Sequence, residues 1–390
     1  MIRRWSKARI QEALRDFPAV VLVGPRQSGK TTVSRQFRGM YFDLEKPEDQ
    51  ARLDATWDEV VLRRELLILD EAQAMPSVFP RLRAAIDEER RRKGRFLLLG
   101  SVSPALMRQV GESLAGRMAI CEQTPFLVGE VAPLQEDRVW VRGGFPDGGV
   151  LGARSFPDWQ NFYLRLMAQR DLPEWGLPAK PAVTERLFKM LAASHGDPWN
   201  ASKIAGSLGI NYHTVNSYLD FLEGAFLIRR LPSYRANLRK RLIKAQKVYW
   251  RDSGLLHALL NFAEPRWPAA RLALLSQPWV GRSWEGWVIE QILSSNAARG
   301  LAADAYFFRT SDGKELDLVL QEGPRLWAIE VKLSSSPTRE MAAKLNEAAS
   351  LIGANRRMLI SRTTRPYKAK DYVSTNIRGA IVELVGSLPR

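Results

Sequence analysis

Cysteine and histidine are scarce in this chain. The single cysteine among 390 residues, Cys121, excludes an intramolecular disulfide. That fits a reducing compartment such as the cytoplasm. The three histidines, His195, His213 and His257, are scattered, so a structural zinc site with closely spaced ligands is not expected. No apolar run approaches the roughly 20 residues that a membrane-spanning helix needs. The amino-terminal MIRRWSKARIQEALRDF is basic but has no apolar stretch behind it, so it does not read as a secretory signal. Acids are in deficit too: 42 Asp and Glu stand against 58 Lys and Arg, a net charge of +16. Such an excess favours a polyanionic partner, DNA or RNA before an anionic membrane surface. The length suggests two or three domains at roughly 100–200 residues each. No internal repeat or low-complexity segment interrupts them.

The most specific motif comes early. The apolar run Ala19 to Val23 enters GPRQSGKT, which fits GxxxxGK[ST] with a strand before it and a helix, about Lys30 to Phe37, after it. Glycines let such a loop turn its backbone N–H groups towards phosphates, and the helix adds its positive end. The expected nucleotide-binding residues are therefore Gly24, Pro25, Arg26, Gln27, Ser28, Gly29, Lys30, Thr31 and Thr32, with ATP and Mg²⁺ as cofactors. Lys30 would reach the β- and γ-phosphates, and Thr31 would ligate Mg²⁺. Downstream, the buried-type run Leu66 to Leu69 ends in Asp70 and Glu71. Asp70 would hold Mg²⁺ through water, and Glu71 would polarise the attacking water. A third strand, Phe96 to Leu99, runs into GSVS. Ser101, or less directly Ser103, sits where a polar sensor of the γ-phosphate would sit. With Met40–Leu44 and Ala119–Glu122, these strands alternate with helices. The expectation is an α/β domain with a parallel sheet over residues 1–150, its ligands at the carboxyl ends of the strands.

GPRQSGKTT, LLILDEAQ, GSVSPAL and ESLAGRM, followed by RGGFPD, NLRKRLIKAQKVYWRDSGLL, WEGWVIEQIL, FFRTSDGKELDLVL and AIEVKLS, resemble a prokaryotic family of AAA+ ATPases. Its members carry a C-terminal domain of unknown function, number 4143. The similarity spans about residues 3 to 385. It implies an AAA+ core and a homo-oligomer, hexameric rings being one form. It also implies an arginine acting on the γ-phosphate from a neighbouring subunit, with Arg117 as first candidate and Arg170 as second. The family often has a glutamate before the RD pair, where this chain has Gln169.

RGGFPD, Arg142 to Asp147, marks a change of organisation. Residues 151–275 read as a helical and winged-helix domain. In ASKIAGSLGINYHTVNSYLDFLEG, Ile204, Leu208, Val215, Leu219 and Leu222 have core spacing on a helix-turn-helix. His213, Thr214, Asn216, Ser217 and Tyr218 then fall at the second helix's start or open face, where short polar groups suit groove contacts. Ala225–Leu231 and Lys247–Trp250 read as wing strands. The segment between them carries Arg235, Arg239, Lys240, Arg241 and Lys244 and no acid, which suggests phosphate-backbone contact with DNA.

Residues 276–390 end the chain with KELDLVLQEGPRLWAIEVK at 314–332. Two strands flank a Gly-Pro turn. Glu330 and Lys332 share one strand face, and Asp317 can stand across the hairpin from Glu330. Asp followed by ExK, with a helical glutamate upstream, is the arrangement of PD-(D/E)xK nucleases. Two carboxylates would hold Mg²⁺ and a lysine would serve the attacking water. Glu285 is the preferred helical acid and Glu290 the alternative. The fold expected is restriction-endonuclease-like, with DNA cleavage left open. Two other readings stand beside a DNA-acting ATPase: a nucleotide-controlled or antitoxin-like switch, and a tail that binds a protein partner.

Overall fold

A computed structural model describes residues 2–100, 114–152, 155–234, 245–264 and 266–386. Five short strands open the fold: β1 Ala19–Val23, β2 Gly39–Asp43, β3 Leu66–Asp70, β4 Phe96–Leu99 and β5 Met118–Glu122. They form one sheet in the order β2-β3-β4-β1-β5, and every neighbouring pair is parallel. Side chains two apart on a strand share a face. Val20 and Leu22 accordingly pack with Ile10 and Ala13 of the helix Trp5–Asp16. Ala19, Val21 and Val23 join Phe79 and Leu82 of the helix Val78–Glu88 on the other face. Both faces are covered, which is why β1, β3 and β4 are almost wholly apolar. The carboxyl ends of β1 and β3 open on the same edge with only β4 between them. The helix after β1 is shorter than expected, Lys30–Ser34.

The middle of the chain is helical, then briefly stranded. Asn200 and Asn211 each cap a helix: their side-chain oxygens accept from the backbone N–H of Lys203 at 3.0 Å and of Thr214 at 2.9 Å. The two helices, Ala201–Leu208 and Tyr212–Gly224, meet at Gly209, whose φ of 70° lets the first one end. Two antiparallel strands follow, β6 Ile228–Leu231 and β7 Lys247–Trp250. β7 divides its side chains. Val248 and Trp250 enter the helical core with Leu191, Val215 and Leu219, while Lys247 and Tyr249 face the next domain.

That domain is a mixed six-stranded sheet ordered β12-β13-β11-β10-β9-β8. Its strands are β8 Asp304–Arg309, β9 Glu315–Glu322, β10 Arg325–Val331, β11 Arg356–Ile360, β12 Tyr367–Lys368 and β13 Val373–Thr375. β9 and β10 form the antiparallel hairpin, and β10 pairs parallel with β11. Leu318, Ile329 and Ile360 pack under the helices Val280–Ala298 and Ile377–Val385. Val319, Ala328 and Leu359 pack under the helix Arg339–Leu351. Among the described residues no helix is long and apolar enough to cross a membrane.

Candidate functional site

The loop after β1 is shaped by close approach. Gly24 has φ 152°, and a Cβ there would stand 2.1 Å from the Gln123 carbonyl oxygen, so no larger residue fits. Gly29, at φ 93°, turns the chain into the helix that begins at Lys30. The Lys30 ammonium donates to the carbonyls of Gly24 and Pro25, both at 3.0 Å. Burial lowers its pKa to about 8, against the raising effect of Glu71 and Asp70. Opposite, Asp70 at the end of β3 accepts from the Thr31 hydroxyl at 2.7 Å and from the Tyr41 hydroxyl at 2.6 Å. Glu71 follows in the left-handed region, φ 48°, and its carboxylate accepts from the Gln73 amide.

A cleft of about 830 Å³ opens beside these residues. Gly29, Lys30, Thr31, Thr32 and Glu71 form its polar end, while Phe126, Pro146, Leu151, Tyr163 and Leu166 form an apolar wall. A cavity with one phosphate-binding end and one apolar end suits a nucleotide. Thr31 and Asp70 also fit Mg²⁺, which takes one or two protein groups beside substrate phosphates and keeps several waters.

A second acid cluster lies in the C-terminal domain. Asp317 accepts from the Val331 backbone N–H at 2.8 Å, and Glu330 is ion-paired with Lys332. Burial, then the neighbouring Glu330 and Glu285, raises the Asp317 carboxyl well above its ordinary pKa. Burial also raises Glu330, against the opposing pull of Lys332. Glu285 joins this field; Glu290 does not. Glu290 is ion-paired with Arg229 at 2.6 Å and Arg251 at 2.7 Å. Against its burial, those two arginines hold it at about 2. The helical acid beside Asp317 and Glu330 is therefore Glu285.

The fit to a metal is poor here. Among the described residues no group of three or more carboxylate, imidazole or thiol side chains is placed to hold one metal ion. The expected set of Asp317, Glu330 and Glu285 is not drawn together as ligands. Instead the Lys247 ammonium reaches in from β7, bonding Glu285 at 2.9 Å and Glu315 at 2.8 Å.

Comparison with known proteins follows this division. Residues 16–132 match the family described as AAA domain, 135–266 match a domain of unknown function numbered 8612, and 280–378 match domain of unknown function 4143. An uncharacterized protein of Mycobacterium bovis and one of Mycobacterium tuberculosis are each 36% identical to this chain over 400 residues. The match covers 99% of this chain and 87% of each relative. The chain belongs to the AAA-type ATPase family with a DUF4143 domain. Among solved structures, the Walker-type ATPase PABY2304 of Pyrococcus abyssi is 16% identical, covering 66% of this chain and 94% of its own, with a TM-score of 0.45. The Aeropyrum pernix Orc1 protein in complex with DNA is 14% identical over 66% and 91%, with a TM-score of 0.25. Scores this low carry no further comparison.

Within this family member, the remaining expected residues take varied places. Arg117 lies at the amino ends of β1 and β5, opposite the cleft, where both its Nε and an Nη donate to Asp87 at 2.9 Å. Arg170, the second candidate, lines the cleft of its own chain, with a side chain 48% exposed. Asn216 does not lie on an open face: its side-chain oxygen accepts from the Trp199 indole at 2.9 Å. Tyr218 is buried, its hydroxyl donating to the Pro178 carbonyl at 2.9 Å. Thr214 is half-buried in its helix cap, while His213 and Ser217 are exposed. Ser101, Ser103, Arg235, Arg239, Lys240, Arg241 and Lys244 lie outside the described residues.

Four residues of these sites escape sequence reasoning. Buried Arg4 holds the loop from behind, donating to the Ser28 carbonyl at 3.2 Å and the Thr124 carbonyl at 2.5 Å. Tyr41 orients Asp70. Asp171, with a side chain 1% exposed, accepts from Arg26 at 2.5 Å and from Arg170 at 2.9 Å. It therefore holds two cleft arginines at once. Lys247 is the fourth. Only Asp171 carried a signal, as the acid directly after Arg170.

Proposed function

We propose that this chain is a Mg²⁺-dependent ATPase whose turnover acts on DNA. The observation that carries the reading is the meeting of Lys30, the Thr31–Asp70 pair and Glu71 at one edge of a parallel sheet. Lys30 now bonds only neutral carbonyls, which phosphate oxygens outcompete because a charged acceptor binds an ammonium more strongly. Thr31 and Asp70 would hold Mg²⁺, which on binding neutralises charge on the phosphates. Glu71 polarises the attacking water and accepts its proton. Arg26 and Arg170, fixed by Asp171, place two further positive charges beside the transferring group.

DNA as the partner is supported by the net charge of +16. It is also supported by the exposed His213 and Ser217 on the second helix, and by the basic run from Arg235 to Lys244 between β6 and β7. Helix pair and β-ribbon would together form a winged helix that grips the phosphate backbone. The C-terminal domain, nuclease-like in its β9–β10 hairpin, would recognise a DNA structure. One observation favours the alternative, a nucleotide-controlled switch. Arg251 bonds Glu290 of the C-terminal domain and Glu122 at the end of β5, where Glu122 pairs with Val23 beside the P-loop. Nucleotide occupancy can thereby be felt by the tail.

Steady-state ATP hydrolysis with Mg²⁺ separates the two. It is measured without DNA and then with single-stranded, duplex, forked and four-way-junction DNA at one salt concentration, because phosphate contacts make affinity salt-dependent. Stimulation by a DNA form is expected. Slow turnover that no DNA alters, together with ATP-dependent changes in oligomer size, would replace this reading with the switch.

A further inference from the structure

The C-terminal acid cluster already has its cation. Lys247 stands on β7 of the middle domain, and its side chain is 3% exposed. Its ammonium bonds Glu285 of the helix Val280–Ala298 and Glu315 of β9. Tyr249, two residues along the same strand face, adds a hydroxyl that donates to Glu285 at 2.7 Å. The ammonium also lies 5.4 Å from the centre of the Phe307 ring. An amine this enclosed, with two carboxylate partners and an aromatic face, has its coordination satisfied. Glu330 is separately taken up by Lys332. Of the carboxylates that would gather round one divalent ion, Glu285 is thus taken by Lys247 and Glu330 by Lys332, while Asp317 accepts from the Val331 backbone N–H.

We propose that Lys247 is the resident cation of this cluster, standing in for the divalent metal of PD-(D/E)xK nucleases and pinning the C-terminal domain to the middle domain. The hairpin keeps the acids of a nuclease, but the site is a metal-independent clamp. The inference stands apart from ATP turnover, which uses none of these residues, and it makes the tail a module that binds without cutting.

The test uses the full chain free of nucleotide, with Mn²⁺ alone as the probe and water-proton relaxation as the readout. In the otherwise wild-type chain, Asp317→Asn is expected to leave Mn²⁺ binding unchanged. Lys247→Met is expected to gain one Mn²⁺ site, lost again in the Lys247→Met/Asp317→Asn double variant. Mn²⁺ should also raise the melting temperature of Lys247→Met and not that of the wild type. Should Lys247→Met fail to fold, the wild-type chain supplies a second measurement: reductive methylation followed by mass spectrometry. Lys247 is expected to resist methylation with and without Mn²⁺, while Lys344, 70% exposed, reacts. A Mn²⁺ site in the wild type that Asp317→Asn removes would overturn the proposal. So would a folded Lys247→Met that gains no site, or Lys247 becoming reactive when Mn²⁺ is added.

Discussion

Lys30 and Lys247 are the same residue in two buried settings with opposite consequences. Lys30 bonds two backbone carbonyls and has its pKa lowered by burial to about 8. For Lys247 burial also acts to lower the pKa, but Glu285, Asp317 and Glu315 outweigh it and hold the ammonium above its ordinary value. The first site is electrostatically unfinished, so an anionic ligand completes it. In the second, the ammonium already has two carboxylate partners within the chain. A buried lysine among acids is thus a binding site only when its partners leave charge for something else to supply.

Substitutions at the two lysines should separate the sites most sharply. Lys30→Ala is expected to lower kcat/KM for ATP by roughly 10³-fold, as loss of a preorganised cation beside developing charge does. Phosphate-release kinetics check this, and a comparable loss from Lys247→Met would break the comparison. Lys247→Met should instead lower folding stability by about 3 kcal/mol, because it strands the two partly buried carboxylates of Glu285 and Glu315. Urea unfolding measures that, and an unchanged midpoint would mean the cluster does not need its ammonium.

The pH dependence sharpens the same contrast. Lys30 titrates at about 8 in the free protein against an ordinary 10.5. Below pH 8 the ammonium is already present for the phosphates. Between pH 8 and 10.5 the amine must first take up a proton, so ATP affinity should fall about tenfold per pH unit. Calorimetry on the wild type and on Lys30→Arg tests this, and the arginine variant should be flat over the range. Asp171→Asn is the mildest case. It is expected to raise KM for ATP about fivefold, the equivalent of one net hydrogen bond of ~1 kcal/mol. Arg26→Ala made in the Asp171→Asn background should then add less than it does alone.

Much of the first domain was legible because local and global signals agree there. The apolar runs Ala19–Val23 and Leu66–Leu69 are buried on both faces, and the glycines at 24 and 29 occupy backbone that other residues resist. The hairpin was legible from alternation, and its register continues to place Asp317 opposite Glu330. What stayed hidden is what depends on distant chain segments. Nothing local marks Arg4 as the support of Ser28, 24 residues away. Lys247 reads as the polar end of a wing strand until β7 is laid on the helix Val280–Ala298. Asn216 has the polarity of a groove reader, but Trp199 turns it inward. Arg170 was named only through the family resemblance, because sequence gives no distance between residues 30 and 170 and so does not show that it lines its own chain's cleft.

One measurement sets the two sites side by side: anomalous scattering at the manganese edge from crystals of the full chain grown with Mn²⁺ and a non-hydrolysable ATP analogue. The expected result is a manganese peak at Thr31 and Asp70 against the phosphates, and none at Asp317 and Glu330. A peak between Asp317 and Glu330, with Lys247 displaced, would contradict the claim that the cleft is built for a ligand and the cluster is already filled.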